Sequence, residues 1–203
     1  MLNHVGTQHL ETSRLVLRRH ELTDADDMFR NWVTDPEVCR FWQWEPHINI
    51  DETRCLLKGW IEEYRKLDNY HWIIVLKEIS QAIGYIYFAD VDVLSRSVSV
   101  HFALSQKYWK QGIMTEACKC AIKFAFGILG AEKVQSNHHV DNIASGRVLE
   151  KSGMKHIKTT YKQVQECERI SGDYCYYEIS FADWKHTQSE RCCQKASIRQ
   201  KHE

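Results

Sequence analysis

The sequence predicts a single α/β domain, and three observations carry that prediction. Residues 71–76 (HWIIVL) and 82–88 (AIGYIYF) are β-rich runs joined by a short polar link, the pattern of a hairpin. Residues 97–104 (SVSVHFAL) alternate as a third strand of this group. Behind the turn Trp109 to Met114, the positions Ala117, Cys118, Ala121, Ile122, Ala125, Phe126 and Leu129 recur at three- and four-residue steps, which makes one long amphipathic helix before a further strand from Val134.

The remaining elements fall around these. Arg14 to Arg19 reads as a first strand, and Thr23-Asp24-Ala25-Asp26 as a capped start for a helix through Met28, Phe29 and Trp32. That helix must stop near Asp35-Pro36, because the residue before proline avoids the α region. Residues 52–67 form a second helix through Leu56, Leu57, Trp60, Ile61 and Tyr64, after an aromatic loop at Phe41, Trp42 and Trp44. Gly130 is the expected C-cap of the long helix. A short helix over 143–152, ending at Gly153, and strands over 154–160 and 174–182 complete the set.

At 203 residues the chain has the size of one domain with a tail, placed at 1–184 and 185–203. The tail carries five Lys/Arg against two Asp/Glu and little apolar content, so it is expected to be mobile. The whole chain is neutral, leaving the body slightly acidic, which suits a cationic substrate and gives no pull toward nucleic acid or membrane. No stretch is long and apolar enough to span a bilayer, and the first residues lack a signal-peptide pattern. The eight cysteines show neither C-x-x-C pairs nor zinc-like spacing and read as free thiols, so a cytoplasmic protein is expected. His101, His138 and His139 have no third ligand at convincing spacing, and no metal is expected.

The turn Trp109-Lys110-Gln111-Gly112-Ile113-Met114 opens the long helix, whose first N–H groups and dipole together attract anions. Its single glycine fits neither the P-loop nor the dinucleotide fingerprint, which disfavours a metal-bound triphosphate. An ordinary strand-turn-helix connection and a cradle for a metal-free pyrophosphate both fit the residues.

Tyr108 to Ala117 (YWKQGIMTEA) resembles the acyl-CoA-binding turn of the GNAT (Gcn5-related) acetyltransferases, in the branch similar to bacterial ribosomal-protein N-terminal (alanine/serine) acetyltransferases, where it reads like YWGKGYATEA. Two residues depart: Lys110 where the branch favours Gly, adding charge, and Met114 where it favours Gly or Ala, adding bulk beside the cofactor. Residues 11–18 (ETSRLVLR), 35–38 (DPEV), 83–86 (IGYI) and 141–154 (DNIASGRVLEKSGM) are similar to further segments of this branch, in order, so the likeness spans 11–184. It implies a mixed, mostly antiparallel sheet of about seven strands with flanking helices and a splay between the fourth and fifth strands. It also implies acetyl-CoA as co-substrate without a metal, and a primary amine as acceptor. The acceptor is expected to be a protein N-terminal α-amine, with a polyamine or drug-like amine as the alternative.

The resemblance distributes the roles. Backbone N–H groups of Lys110, Gln111, Gly112, Ile113, Met114 and Thr115 hold the pyrophosphate, and Phe102, Ala103 and Leu104 pair with the pantetheine arm, one N–H facing the thioester oxygen. Asn142 binds the arm from the other side, or caps the helix from Ile143, or both. Ser145 offers a proton to the leaving thiolate, or caps its own helix; Tyr161 and Tyr177 are weaker acids. Ser99 stands where many branch members carry a basic Glu, and Glu168, four residues before Gly172-Asp173, takes that role with Glu166 its rival. An α-amine of pKa about 7.8 is roughly a quarter neutral near pH 7.4, whereas a lysine costs about 4 kcal/mol to deprotonate, so an N-terminal acceptor needs only a weak base. A catalytically silent acyl-CoA-binding module and a nucleotide-binding protein are the rivals from other classes; a monomer and a homodimer are equally compatible.

Overall fold

The computed structural model describes residues 1–42, 45–162 and 171–189. Eight strands form one sheet: β1 (Leu10–Glu11), β2 (Leu15–Arg18), β3 (Tyr70–Leu76), β4 (Gln81–Asp92), β5 (Ser97–Leu104), β6 (Lys133–His139), β7 (Lys155–Lys162) and β8 (Gly172–Ser180). Their order is β1-β2-β3-β4-β5-β6-β8-β7, and every neighbouring pair is antiparallel except β5 with β6. The mixed, mostly antiparallel sheet is therefore present, with eight strands where about seven were expected. The extra one is β1, two residues long and too short to show a sequence period.

The helices are α1 (Ala25–Met28), α2 (Pro36–Cys39), α3 (Ile50–Glu63), α4 (Ile113–Phe124) and α5 (Ile143–Lys151); wider turns at Phe29–Val33 and Ala125–Leu129 prolong α1 and α4. The starts of α2, α3 and α5 carry side-chain caps, at Asp35, Asn49 and Asn142. Before α1, in a 3₁₀ turn over Leu22–Asp24, Asp24 accepts the Glu21 N–H at 2.7 Å, so the box sits at Glu21 rather than Thr23. Asp35 caps α2 ahead of Pro36, and Asn49 accepts from Asp51 and Glu52 to start α3 two residues earlier than its apolar period suggests. Gly130 closes the α4 run in the left-handed conformation, as expected. Residues 181–189 are helical, so the first five residues of the segment read as tail have regular structure; 190–203 lie outside the described residues.

The pleat of the sheet sends alternate side chains into two cores. Met28, Trp32, Leu57, Ile73 and Tyr85 pack with α1 and α3 on one face. On the other, Trp72, Ile74, Ile86 and Phe88 meet α4 and α5 through Ala121, Phe124 and Leu149. Phe124 touches the rings of Tyr70, Trp72 and Phe88, a burial worth about 3–5 kcal/mol against alanine. Gly84 is required where β4 crosses β5, because a side-chain carbon there would overlap the Ala103 carbonyl oxygen.

The parallel pairing of β5 with β6 covers only Ser97↔Lys133, Val98↔Val134 and Ser99↔Gln135. Beyond it β5 continues to Leu104 and β6 to His139 without facing each other, and the Ser136 hydroxyl donates to the Val100 carbonyl at 2.7 Å as the last link. The sheet is split there, between the two strands where a splay was expected. Among the described residues no helix is long and apolar enough to cross a membrane, and Cys39, Cys55, Cys118, Cys120 and Cys175 are free thiols.

Candidate active site

The turn before α4 is built from both ends. Upstream, the Trp109 indole donates to the Leu104 carbonyl at 2.7 Å, and the Gln111 amide to the Lys107 carbonyl at 3.0 Å. Lys110 and Gly112 then take left-handed backbone angles, φ 60° and 73°. Two such residues two positions apart curl the N–H groups inward, and those of Lys110 through Thr115 find no acceptor among the described residues. The sequence allowed a turn of this geometry, at the positive end of α4, where an anion is favoured.

Two expectations about its departures are corrected. Met114 does not put bulk beside the turn: its side chain is buried in the core with that of Ile113, so only its backbone faces the cradle. Lys110 is more than an added charge, since it occupies a left-handed position that glycine adopts without strain and a β-carbon penalises by about 1 kcal/mol or more.

A carboxylate clasp sets the turn against β2. Glu116 in the first turn of α4 accepts from the Arg14 side chain at 2.7 Å and from the Arg14 N–H and the Ser13 hydroxyl at 3.1 Å each, while Arg14 also donates to the Gln111 carbonyl at 3.1 Å. Partial burial would raise the Glu116 carboxyl, but hydrogen bonds from Thr12, Arg14 and Ser13 outweigh it and hold the group below the usual carboxylate range. The clasp thereby ties the Gln111 carbonyl of the turn to Arg14.

In the splay, the hydrogen-bond alternation of an antiparallel pair decides which groups are available. Ser105 donates to the Ile83 carbonyl, and the Ala103 carbonyl lies against β4, so odd-numbered residues of β5 pair with β4 and even-numbered ones face the gap. The N–H and C=O of Phe102 and the N–H of Leu104 therefore open into the split, while the Leu104 carbonyl is held by Trp109. Ala103 turns its backbone away, toward Tyr85.

Across the gap, Asn142 caps α5 by accepting the Ser145 N–H at 3.2 Å through its side-chain oxygen, and its amide nitrogen has no partner among the described residues. The Ser145 hydroxyl makes no bond to its own helix. Both side chains, with Phe102, line a cleft of about 350 Å³ that continues through the split to the α1–α3 face of the sheet. There its wall includes Phe41, Trp42, Tyr87, Asp90, His101 and Lys162. A larger hollow of about 470 Å³ lies over the far side of α4 and α5, beneath Trp184, and contains neither the cradle nor the split.

Phe41 and Trp42 thus wall the cleft, and Trp44, Glu166 and Glu168 lie outside the described residues. Of the weaker acids, Tyr177 is bonded to Glu150 at 3.3 Å and Tyr161 points to solvent. Sequence reasoning missed Asp90. It sits at φ 47° in the irregular stretch of β4 between Ala89 and Asp92, and a run reading as one continuous strand gives no sign that this carboxylate swings into the cleft. His101 shares the pleat of Ser99 and Tyr87 and so projects to the same face. Among the described residues no cluster of three or more His, Cys, Asp or Glu could hold a metal.

Residues 14–155 match the family model of the acetyltransferase (GNAT) domain. The chain is 26% identical over 146 residues to an uncharacterised N-acetyltransferase, YoaA, of Bacillus subtilis, covering 72% of this chain and 82% of that protein. Its fold superposes with a TM-score of 0.73 on a Vibrio cholerae structure provisionally assigned as a ribosomal-protein-serine acetyltransferase, at 16% identity over 85% of this chain and 97% of the other. It superposes with a TM-score of 0.70 on the spermidine N-acetyltransferase of Vibrio cholerae in complex with CoA and spermine, at 17% identity over 85% and 99% of the two chains. With a cradle opening the helix after β5, a sheet split beside it and a domain match over most of its length, the chain belongs to the GNAT family of N-acetyltransferases, enzymes that use acetyl-CoA.

Proposed function

We propose that the chain transfers the acetyl group of acetyl-CoA to a single primary amine, best fitted by a protein N-terminal α-amine. The observation that carries this reading is the placement of three features along one strand and the turn after it. Residues 110–115, whose N–H groups find no acceptor among the described residues, follow β5; the backbone groups of Phe102 on β5 face the split; and Phe102 also lines the aromatic cleft that holds Asp90. Pyrophosphate occupies the first, the pantetheine arm the second, and the amine arrives through the third.

In this arrangement Phe102 and Leu104 pair with the arm as a strand would, and Asn142 donates its free amide from the opposite side. A donor aimed at the thioester oxygen stabilises the charge that develops there on attack. The Ser145 hydroxyl supplies a proton, directly or through water, to the departing thiolate. The branch that the sequence resembles assigns the amine proton to Glu168, which lies outside the described residues.

A protein α-amine fits the cleft better than a polyamine. The described wall carries one carboxylate, Asp90, and one ammonium, Lys162, so it offers no excess negative charge for a polycation. Phe41, Trp42 and Tyr87 add faces suited to one cation. Thiol release from acetyl-CoA across a panel of Ser-, Ala- and Met-initial tetrapeptides, spermidine and aminoglycosides tests this: turnover on a peptide and not on the small amines is expected, and the reverse order overturns the acceptor class. Tight acetyl-CoA binding without turnover on any acceptor would instead identify a silent module. A thermal shift by ATP and none by CoA would identify a nucleotide-binding protein.

A further inference from the structure

We infer that His101 is the catalytic residue that takes the proton from the attacking amine, with Asp90 backing the imidazolium; this rests on the acetyl-transfer reading above. His101 lies two residues beyond Ser99, the last residue of β5 that pairs with β6, and one before Phe102, whose N–H opens into the split. Its side chain therefore stands on the amine-facing side of the sheet, beside the point where a thioester in the split would be attacked.

The ring is held and yet chemically available. It stacks on Tyr87 with centroids 5.4 Å apart and planes 28° off parallel, and neither ring nitrogen bonds any described residue. The groups around it are Tyr87 and Asp90 from β4, His139 from β6, Lys162 from β7, Tyr174 from β8, and Phe41 and Trp42 from the loop after α2. Burial lowers its affinity for protons, Asp90 opposes this, and Lys162 reinforces it, so the ring is neutral near pH 7 and ready to accept.

The other two cleft histidines are unsuited. His138 donates from Nδ1 to the His139 carbonyl at 2.8 Å and buries its Nε2 against Gly146. His139 receives the Asp141 N–H at Nδ1, at 3.2 Å, so its proton sits on Nε2, and Nε2 is pressed against the Gly172 backbone. The step balances simply. The ammonium gives one proton to His101, and the freed lone pair forms the C–N bond. The tetrahedral adduct then breaks its C–S bond, and the thiolate leaves with a proton from the Ser145 hydroxyl, which the second proton of the amine nitrogen replaces. The imidazolium beside Asp90 returns its proton to solvent before the next cycle.

The test is the His101→Gln variant, assayed with whichever panel acceptor the wild type acetylates fastest, alongside calorimetric binding of acetyl-CoA. We expect kcat to fall about a hundredfold at pH 7 with the acetyl-CoA Kd within twofold, and the wild-type inflection of kcat below pH 6.5 to vanish. A variant within threefold of wild type and with the same pH profile overturns the inference. If the variant loses acetyl-CoA binding, the wild-type profile decides: a kcat independent of pH from 5 to 7 overturns it, and a single rise below 6.5 supports it. A wild type that turns over no acceptor would sink the acetyl-transfer reading itself, a separate and recognisable result.

Discussion

Arg14 and Glu116, 102 positions apart, meet at 2.7 Å and bind the start of α4 to the start of β2. Arg14 carries this grip to the Gln111 carbonyl, so the pair shapes the cradle without entering it. Glu116→Gln keeps the shape and loses the charge. Because Arg14 is partly exposed, the loss is about 1 kcal/mol, which appears as a roughly fivefold weaker acetyl-CoA Kd in calorimetry with kcat unchanged.

Lys110 holds a left-handed conformation that its side chain disfavours. Lys110→Gly relieves the strain and should raise stability by about 1 kcal/mol, a Tm increase of about 2–4 °C by calorimetry. Gly112→Ala should shift it by a similar amount in the opposite direction and weaken acetyl-CoA binding as the cradle opens.

Asn142 uses its oxygen for α5, and its side-chain nitrogen has no partner among the described residues. Asn142→Asp retains the cap and removes the donor, whereas Asn142→Ala removes both. Both variants should raise the acetyl-CoA KM, and the alanine variant alone should also lose about 1 kcal/mol of stability in urea titration. Equal KM values for the aspartate variant and the wild type would confine Asn142 to capping.

Glu168 and His101 are rival destinations for the amine proton. With His101 in that role, Glu168→Gln changes kcat by less than threefold across pH 6 to 9. With Glu168 in that role, the same variant slows turnover, most at low pH, and leaves acetyl-CoA binding intact. Steady-state rates of the two single variants, measured in one buffer series, separate these cases.

His20 and His71 lie buried edge to face, 4.6 Å apart, beside Trp60. Burial pushes His20 down to about 3, with Arg18 adding to the shift, and pushes His71 well below the usual imidazole range, with His20 adding. An unfolded chain protonates both near 6.5, so it binds more protons than the native state below that pH. Stability is full above 6.5 and declines as the pH falls toward 3, by up to about 1.4 kcal/mol per pH unit for each ring. Replacing His20 with Phe should make the acid slope of Tm shallower and cost little at pH 7, since the His20 ring nitrogens have no hydrogen-bond partner among the described residues.

The sequence revealed those parts of the fold that repeat or punctuate. The apolar steps from Ala117 to Leu129 and the alternation of residues 97–104 marked α4 and β5, and Gly130 marked where the helix run ends. The cradle was legible because its chemistry lies in backbone groups that one glycine and a helix start are enough to present. What stayed hidden depended on the third dimension. Met114 looked obstructive until the helix phase sent it into the core. Ala103 looked equivalent to Phe102 until the β4 register claimed its backbone. Asp90 came into view only through an irregularity that turns one residue of a long strand, and no side-chain pattern encodes it.

The brief parallel pairing of β5 with β6 has a mechanical meaning. Five strands on one side and three on the other are stitched together by three residue pairs, Ser97 to Ser99 against Lys133 to Gln135, with α4 as the strap across the seam. A ligand arm lodged in the gap would extend that stitching toward Leu104, making the co-substrate a temporary strand of the fold. Amide exchange at Phe102 and Leu104 would then report occupancy directly, slowing when the seam is filled and quickening when product leaves.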